Sequence, residues 1–145
     1  NRIQGKIQID PNKLIYNYSF VDLKAAAKAS KGLEDRTFEM RTYTPTTDKL
    51  PNVLARFRDH TLKLFKKHGM TNIAYFTTID KDPTKPGKLL YLLAHSSEDA
   101  AKTSFDNFRK DPNWIKAKDA SEKDGKIVDK VESVFMHPTS FSTIR

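Results

Sequence analysis

After residue 35, strand-like and helix-like patterns alternate in an order that few folds can accommodate. Side chains of the first and last strand-like segments alternate between two faces, the second segment is β-branched and aromatic, and the third is continuously apolar. Apolar residues recur every three to four positions in segments typical of helices. The predicted strands are 36–44, 71–79, 88–95 and 127–138, and the predicted helices are 48–68, 97–110 and a short segment from 112. This β-α-β-β-α-β order predicts a ferredoxin-like α+β fold, with an antiparallel sheet in the order 4-1-3-2 and the main helices on one face.

Several residues mark where the predicted helices begin and end. Asp48 is predicted to be the N-cap of the first helix, and Gly69 is predicted to terminate it. Ser97 begins the second helix. Asp111 ends the second helix and caps the short one, which starts at Pro112 because proline is well tolerated at a first helical position.

The first 35 residues differ from the rest and are predicted to form an N-terminal arm. Leu14, Tyr16, Tyr18 and Phe20 alternate with the residues between them, which favours a strand, and good helix formers follow until Gly32. We therefore expect an arm at 1–35 and a ferredoxin-like domain at 36–145, in which 80–87 is a loop by composition. A chain of 145 residues is long enough for one domain with a real core.

One face of the predicted sheet is left without helices. The third strand is apolar on both sides and is expected to be central. Depending on register, the uncovered face of the first strand carries either Arg41 and Tyr43 or Phe38 and Met40. A large apolar face in water is an association site, and packing it on a second copy predicts a homodimer.

Five short motifs stand in order along the chain. They are Phe38-Glu-Met-Arg-Thr-Tyr-Thr, the helix pieces Phe57-Arg-Asp-His and Phe65-Lys-Lys-His-Gly-Met, then Leu90-Tyr-Leu-Leu-Ala-His-Ser, Asp111-Pro-Asn-Trp and Val131-Glu-Ser-Val-Phe-Met-His-Pro-Thr. Together these motifs resemble the NIPSNAP family. The resemblance covers roughly residues 36–142 and leaves the arm without a counterpart.

The resemblance implies a dimeric α/β-barrel, in which two ferredoxin-like sheets pack face to face. It also implies a relationship to cofactor-independent monooxygenases and to haem-handling proteins, but it implies no activity. Three hypotheses follow. The favoured one is a dimeric binding or scaffold module of undefined biochemical role. The alternatives are a cofactor-independent monooxygenase-like enzyme acting on an aromatic small molecule, and a haem- or tetrapyrrole-binding protein.

Candidate catalytic residues are few. The enzyme hypothesis needs a base, for which His60 and His95 are the candidates, with Tyr75 as a further polar group in a pocket. Either histidine is also a candidate haem ligand. A histidine near a core is more often simply hydrogen bonded, so the sequence leaves the question of catalysis open.

Candidate ligand-binding residues are mainly aromatic. Tyr43, Tyr91 and Trp114 are expected to line a pocket between the sheet and the helices, although ordinary core is the favoured interpretation. Arg41 also has two interpretations. It is predicted to pair with Glu132 across neighbouring strands, and the alternative is that it binds an anionic ligand in a cleft.

Composition limits which other classes of partner and cofactor are expected. The net charge is +8, but most of the basic residues are interspersed with acidic ones, so we expect no nucleic acid partner. No apolar run approaches the roughly 20 residues of a membrane span, so we expect a soluble protein. We expect no metal site and no cofactor, because the chain has no cysteine and its four histidines lack a metal-ligand spacing. A start at Asn1 fits export after leader cleavage as well as trimming, which leaves localisation open.

Overall fold

The computed structural model describes residues 36–79 and 87–145. The predicted arm at 1–35 and all but the last residue of the predicted loop at 80–87 lie outside the described residues. The chain divides into two compact units, and the larger one, Asp35–Pro138, holds every helix and strand of the described part. Residues 139–145 belong to the second unit.

Four antiparallel strands form one sheet within this unit. They are β1 (Thr37–Pro45), β2 (Thr71–Thr77), β3 (Leu89–His95) and β4 (Val128–Met136). Their spatial order is β2-β3-β1-β4, and the predicted order 4-1-3-2 is therefore confirmed. The interior position predicted for the third strand is also confirmed, because β3 pairs with both β1 and β2.

The predicted first helix is present but not regular throughout. It consists of α1 (Leu50–Arg56), a π-helical turn (Phe57–Thr61) and α2 (Leu62–Lys67). The predicted N-cap at Asp48 is wrong: this residue has a φ of 61°, and Lys49 is the N-cap without a side-chain hydrogen bond. The left-handed φ of 61° takes Asp48 out of the extended conformation that a capping side chain normally needs.

The later helices begin and end as predicted. Ser97 precedes α3 (Glu98–Lys110), and its hydroxyl accepts a hydrogen bond from the N–H of Ala100 at 3.0 Å. Asp111 separates α3 from α4 (Pro112–Ser121) and caps the latter. After α2, Gly69 has a φ of 79°, a left-handed conformation that glycine adopts at little cost, and this confirms it as the helix terminator.

Asp111 also fastens α2 to the junction of α3 and α4. Its side chain is buried, and one oxygen lies 2.6 Å from Nζ of Lys67 and 2.8 Å from Nε2 of His68. The other oxygen accepts from the N–H of Asn113 at 2.8 Å. These hydrogen bonds, that of Lys67 foremost, hold the pKa of Asp111 well below its usual range.

The core lies between the sheet and the helices. Its centre is aromatic: Tyr91 of β3 is 1% exposed and contacts Phe57 and Phe65 of the helical layer. Aromatic rings packed in this way contribute large buried areas and favourable ring contacts. The other buried members of this cluster are Val53, Leu64, Met70, Leu89, Leu93, Phe105, Phe108 and Ile127.

The opposite face of the sheet carries the alternative set of side chains. Of the two registers expected for β1, the structure has Arg41 and Tyr43 towards the helices, and Phe38 and Met40 on the other face. One apolar row crosses all four strands on that face, because the paired positions are Val134, Met40, Leu92 and Ala74. Phe76 on the same face is 61% exposed, Val134 is 53% exposed and Met40 is 38% exposed. None of the helices in the described part of the chain combines the length and the apolar character that crossing a bilayer requires.

Candidate functional site

A buried carboxylate on β1 organises the polar groups beneath α3. Glu39 is 1% exposed, and its Oε1 accepts hydrogen bonds from Nη1 of Arg41 and from Oγ of Ser133, both at 2.6 Å. Its Oε2 lies 3.0 Å from Nε2 of His95. Strand alternation places these groups together, because Glu39 and Arg41 share a face of β1, and Ser133 and His95 lie on the neighbouring strands.

This arrangement keeps Glu39 ionised. Burial alone would raise its pKa, but the hydrogen bonds from His95 and Ser133, together with the charge and hydrogen bond of Arg41, lower it to about 2. The carboxylate is therefore an acceptor at neutral pH, and Nε2 of His95 must carry the hydrogen that it shares with Glu39. A buried charge with this many donors is well compensated.

A cleft of about 320 Å³ opens above this carboxylate, between the sheet and α3. It is bounded on the sheet side by side chains of β1 and β4 and on the helix side by one face of α3. The lining residues from the strands are Glu39, Arg41, Ser133 and Phe135, and those from α3 are Ala101, Lys102, Phe105, Asp106 and Arg109. Known small-molecule pockets start at about this volume.

Arg41 is held firmly on the floor of this cleft. Its side chain is 13% exposed, and its guanidinium lies 4.3 Å from the centre of the Phe105 ring. Arg109 approaches the same ring at 5.6 Å from the rim, where it also pairs with Asp106 at 2.9 Å. Cation–π contacts and a charge-assisted hydrogen bond to Glu39 thus fix the plane of the Arg41 guanidinium.

His95 lies below the cleft floor. Its side chain is 1% exposed, and its ring contacts Phe105 at 6.3 Å and Phe135 at 6.4 Å between centroids. Nε2 lies against Glu39, and Nδ1 is buried without a hydrogen-bond partner among the described residues. Neither ring nitrogen therefore faces a molecule in the cleft.

The three tyrosines predicted near a pocket form part of the aromatic core instead. Tyr75 stacks on Tyr91 at 5.4 Å with 15° between the ring planes, and Tyr43 contacts Tyr91 at 5.5 Å. The Tyr75 hydroxyl donates to Oδ1 of Asn72. Burial, with a smaller contribution from Tyr43, raises the pKa of Tyr75, and burial likewise raises that of Tyr91, so both stay neutral at physiological pH.

The remaining candidates, Trp114 and His60, are not brought to the cleft. Trp114 is half-buried on α4, where it packs on Phe108 at 4.4 Å and on the guanidinium of Arg56 at 5.2 Å. His60 is exposed on the π-helical turn, at the edge of a shallow depression shared with Arg56 and Asp59. The fold thus brings Tyr43, Tyr75 and Tyr91 together and places Trp114 and His60 elsewhere.

The predicted pair between Arg41 and Glu132 is wrong. In the register of β1 and β4, Arg41 is opposite Ser133, and Glu132 is opposite Thr42. Because neighbouring positions on a strand point to opposite faces, Glu132 lies on the other side of the sheet from Arg41. Glu132 pairs with Lys130 at 2.8 Å, and Arg41 pairs with Glu39 on its own strand.

Several residues of the cleft were not among the predicted site residues. Ser133, Phe135, Arg109 and Phe105 all line it. A signal for Ser133 was available, since the predicted adjacency of the first and last strands brings it near Arg41 once the register is known. In residues 36–79 and 87–145, no three acidic, histidine or cysteine side chains are grouped so that they could hold a metal ion.

Comparison with known proteins identifies relatives of the same fold. The NIPSNAP family model matches residues 38–143. A search of curated proteins finds no match.

Among the solved structures similar to this chain are NIPSNAP proteins from two bacteria. A NIPSNAP family protein of unknown function from Agrobacterium tumefaciens aligns with a TM-score of 0.64 at 22% identity, over 77% of this chain and 95% of that one. A second NIPSNAP family protein from A. tumefaciens has a TM-score of 0.63 at 20% identity, over 76% and 99%. An uncharacterised NIPSNAP domain protein from Burkholderia xenovorans has a TM-score of 0.59 at 21% identity, over 73% and 97%. At these identities the likeness concerns the fold alone.

Proposed function

The chain belongs to the NIPSNAP family, and on that premise we propose that it is a homodimeric binding module, which holds a small aromatic ligand in the cleft beneath α3 without converting it. The observation that carries the dimer is the apolar row across the sheet face on which no helix of residues 36–79 and 87–145 packs. Val134, Met40 and Leu92 are paired neighbours in that row. A second copy of the same face covers such a row in the most economical way.

The polar groups of the site support binding over catalysis. A base must reach the proton that it removes, directly or through one water. His95 has one nitrogen on Glu39 and the other buried, and Tyr75 is a neutral hydrogen-bond donor in the core. His60 is exposed on another part of the helical layer. The monooxygenase hypothesis therefore has no candidate base among these three at the cleft.

The contacts of His95 also argue against the haem hypothesis. An axial histidine must offer a free ring nitrogen to an open space on one side of the iron. Nε2 of His95 is engaged by Glu39, and the ring is enclosed by Phe105 and Phe135. Haem binding at His95 would have to break a buried, charge-assisted hydrogen bond.

Sedimentation velocity of the full chain, combined with native mass spectrometry of protein from its natural source, tests this proposal. We expect a species of twice the 16.6 kDa chain mass that carries a small ligand and consumes no oxygen in its presence. A monomer that persists at high protein concentration would contradict the dimer. A ligand released in chemically altered form would contradict the non-catalytic role.

A further inference from the structure

The cleft beneath α3 has a chemical character that narrows the ligand class. Resting on the binding role proposed above, we infer that it takes a small aromatic monocarboxylate, whose carboxylate is bound by Arg41 and whose ring packs against Phe105 and Phe135. All three residues line the cleft.

The accessible donors of Arg41 supply the first step. A guanidinium has five N–H donors in one plane, and this planar fork fits a carboxylate better than an ammonium group does. Nη1 of Arg41 donates to Glu39, and Nε is buried. The edge of the guanidinium that remains accessible is therefore that of Nη2, on the cleft floor.

The second step is that the negative charge of Glu39 is already compensated by donors of the protein. Its charge faces three donors within the protein, from Arg41, Ser133 and His95, and its side chain is only 2% exposed. An incoming anion therefore meets a carboxylate that is already compensated. Because Arg41 is kept in place by Glu39 and by the ring of Phe105, it is pre-organised for an anion before any ligand arrives.

The third step concerns the charge of the ligand, which the charged residues at the rim of the cleft restrict. Lys102 and Arg109 stand at the mouth with 68% and 59% of their side chains exposed. They already pair with Asp99 at 3.3 Å and with Asp106 at 2.9 Å. The site thus has a mild attraction for anions but little uncompensated positive charge, which suits one carboxylate better than a doubly charged phosphate.

The apolar walls and the volume supply the last step. Phe105, Phe135 and Ala101 give the cleft an apolar side next to the guanidinium. Pockets that bury ligands span about 300–1,000 Å³, so a cleft of about 320 Å³ fits a single ring better than an extended ring system. A flat ring with a carboxylate at one end matches this polar and apolar arrangement.

Titration of the full chain with benzoate, benzamide and inorganic phosphate tests the inference. Benzamide has the shape of benzoate without its charge, and phosphate has charge without a ring. We expect benzoate to bind saturably, with amide chemical-shift changes at Phe105, Ser133 and Phe135, and to bind at least tenfold more tightly than either of the other two probes.

Variants localise the effect. Arg41→Lys keeps a cation beside Glu39 but loses the planar fork, and we expect it to weaken benzoate at least tenfold and benzamide by a smaller factor. Arg109→Gln alters only an exposed rim residue, so it serves if Arg41→Lys does not fold, and we expect a loss of about threefold. Arg58→Gln is the matched control, because Arg58 is an exposed arginine paired with Asp59 away from the cleft.

The outcomes separate this inference from the function on which it rests. Benzamide binding as tightly as benzoate, or phosphate binding as tightly as benzoate, overturns the aromatic carboxylate and leaves the binding role in place. Failure of both aromatic probes to bind overturns the binding role of the cleft as well. Benzoate affinity that is unchanged in both Arg41→Lys and Arg109→Gln overturns the assignment to this cleft.

Discussion

Glu39 and His95 are hydrogen bonded at 3.0 Å on diagonal positions of neighbouring strands. In the register of β1 and β3, Glu39 is opposite Leu93, and His95 is opposite Thr37. Long side chains at diagonal positions on one face can reach each other. Here the contact gives the second oxygen of a buried carboxylate a hydrogen-bond partner. The polar site is therefore tied into the centre of the sheet, and damage to the site is expected to reduce stability.

The first prediction concerns acid stability. Because the pKa of Glu39 falls from its usual 4.5 to about 2 on folding, the carboxylate stabilises the fold above pH 4.5, and this stabilisation is lost as the pH falls from 4.5 towards 2. The loss amounts to about 3 kcal/mol at most. Urea unfolding between pH 2.5 and pH 6 should show that the free energy of unfolding rises with pH in the parent protein, and that this dependence on pH is weaker in Glu39→Gln. The exposed Glu132→Gln serves as the control, and an identical slope in the Glu39 variant would refute the assignment.

The second prediction concerns the pair of Arg41 and Glu39. Arg41→Met leaves a carboxylate that is 2% exposed without its cation, and we expect a loss of about 3 kcal/mol in the free energy of unfolding. The double variant Glu39→Gln, Arg41→Met removes both charges and should be more stable than the sum of the single losses implies. Chemical denaturation of the four proteins measures this coupling. Strictly additive losses would mean that the two side chains do not interact.

The third prediction uses two valines of β4 to test the dimer. Val134 is 53% exposed on the face turned away from the described helices, and Val131 is 42% exposed on the face towards them. Val134→Lys places a charge in the proposed interface and should give a monomer in sedimentation velocity, whereas Val131→Lys should remain dimeric. Dimers that survive Val134→Lys, or that dissociate equally in both variants, would place the interface elsewhere.

The fourth prediction separates the two roles of Asp111. Asp111→Ser retains an N-cap acceptor for α4 but loses the ion pair with Lys67 and the hydrogen bond with His68. Asp111→Ala loses both. We expect the midpoint of thermal unfolding to fall in the order parent, Asp111→Ser, Asp111→Ala, as followed by circular dichroism. Equal midpoints for the two variants would assign the whole effect to the contacts with Lys67 and His68.

The order of the elements was readable from the sequence because it depends on local patterns. Alternation with period two predicted the first and last strands, β-branched and aromatic residues predicted the second, and a continuous apolar run predicted the third. Helix ends were predicted from Ser97, which caps through its hydroxyl, and from Gly69, which adopts a left-handed φ. The prediction of Asp48 as N-cap was wrong because the N-cap is the next residue, Lys49. A residue type that favours capping therefore lies one position before the actual helix start. Local signals predict an element better than they predict its exact first residue.

The cleft was harder to predict because it depends on register. A shift by one residue exchanges the two faces of a strand, and the expected partner of Arg41 was therefore Glu132 where the structure has Ser133. Glu39 likewise looks like an ordinary polar strand residue. Its burial follows from the positions of Arg41, Ser133 and His95 around it, and those positions come from three strands that are distant in the sequence.

The π-helical turn at Phe57–Thr61 affects how this chain is aligned with relatives. Leu62 donates its N–H to the carbonyl of Phe57, five residues earlier, so the turn holds one residue more than a regular turn. Oγ1 of Thr61 donates to the Arg56 carbonyl at 3.2 Å and gives that oxygen a partner. A relative with an uninterrupted α-helix between the same two ends would be one residue shorter. Gap-free alignment would then misassign every position on one side of Thr61, and a single-residue insertion or deletion here is an evolutionary change that the flanking helix can absorb.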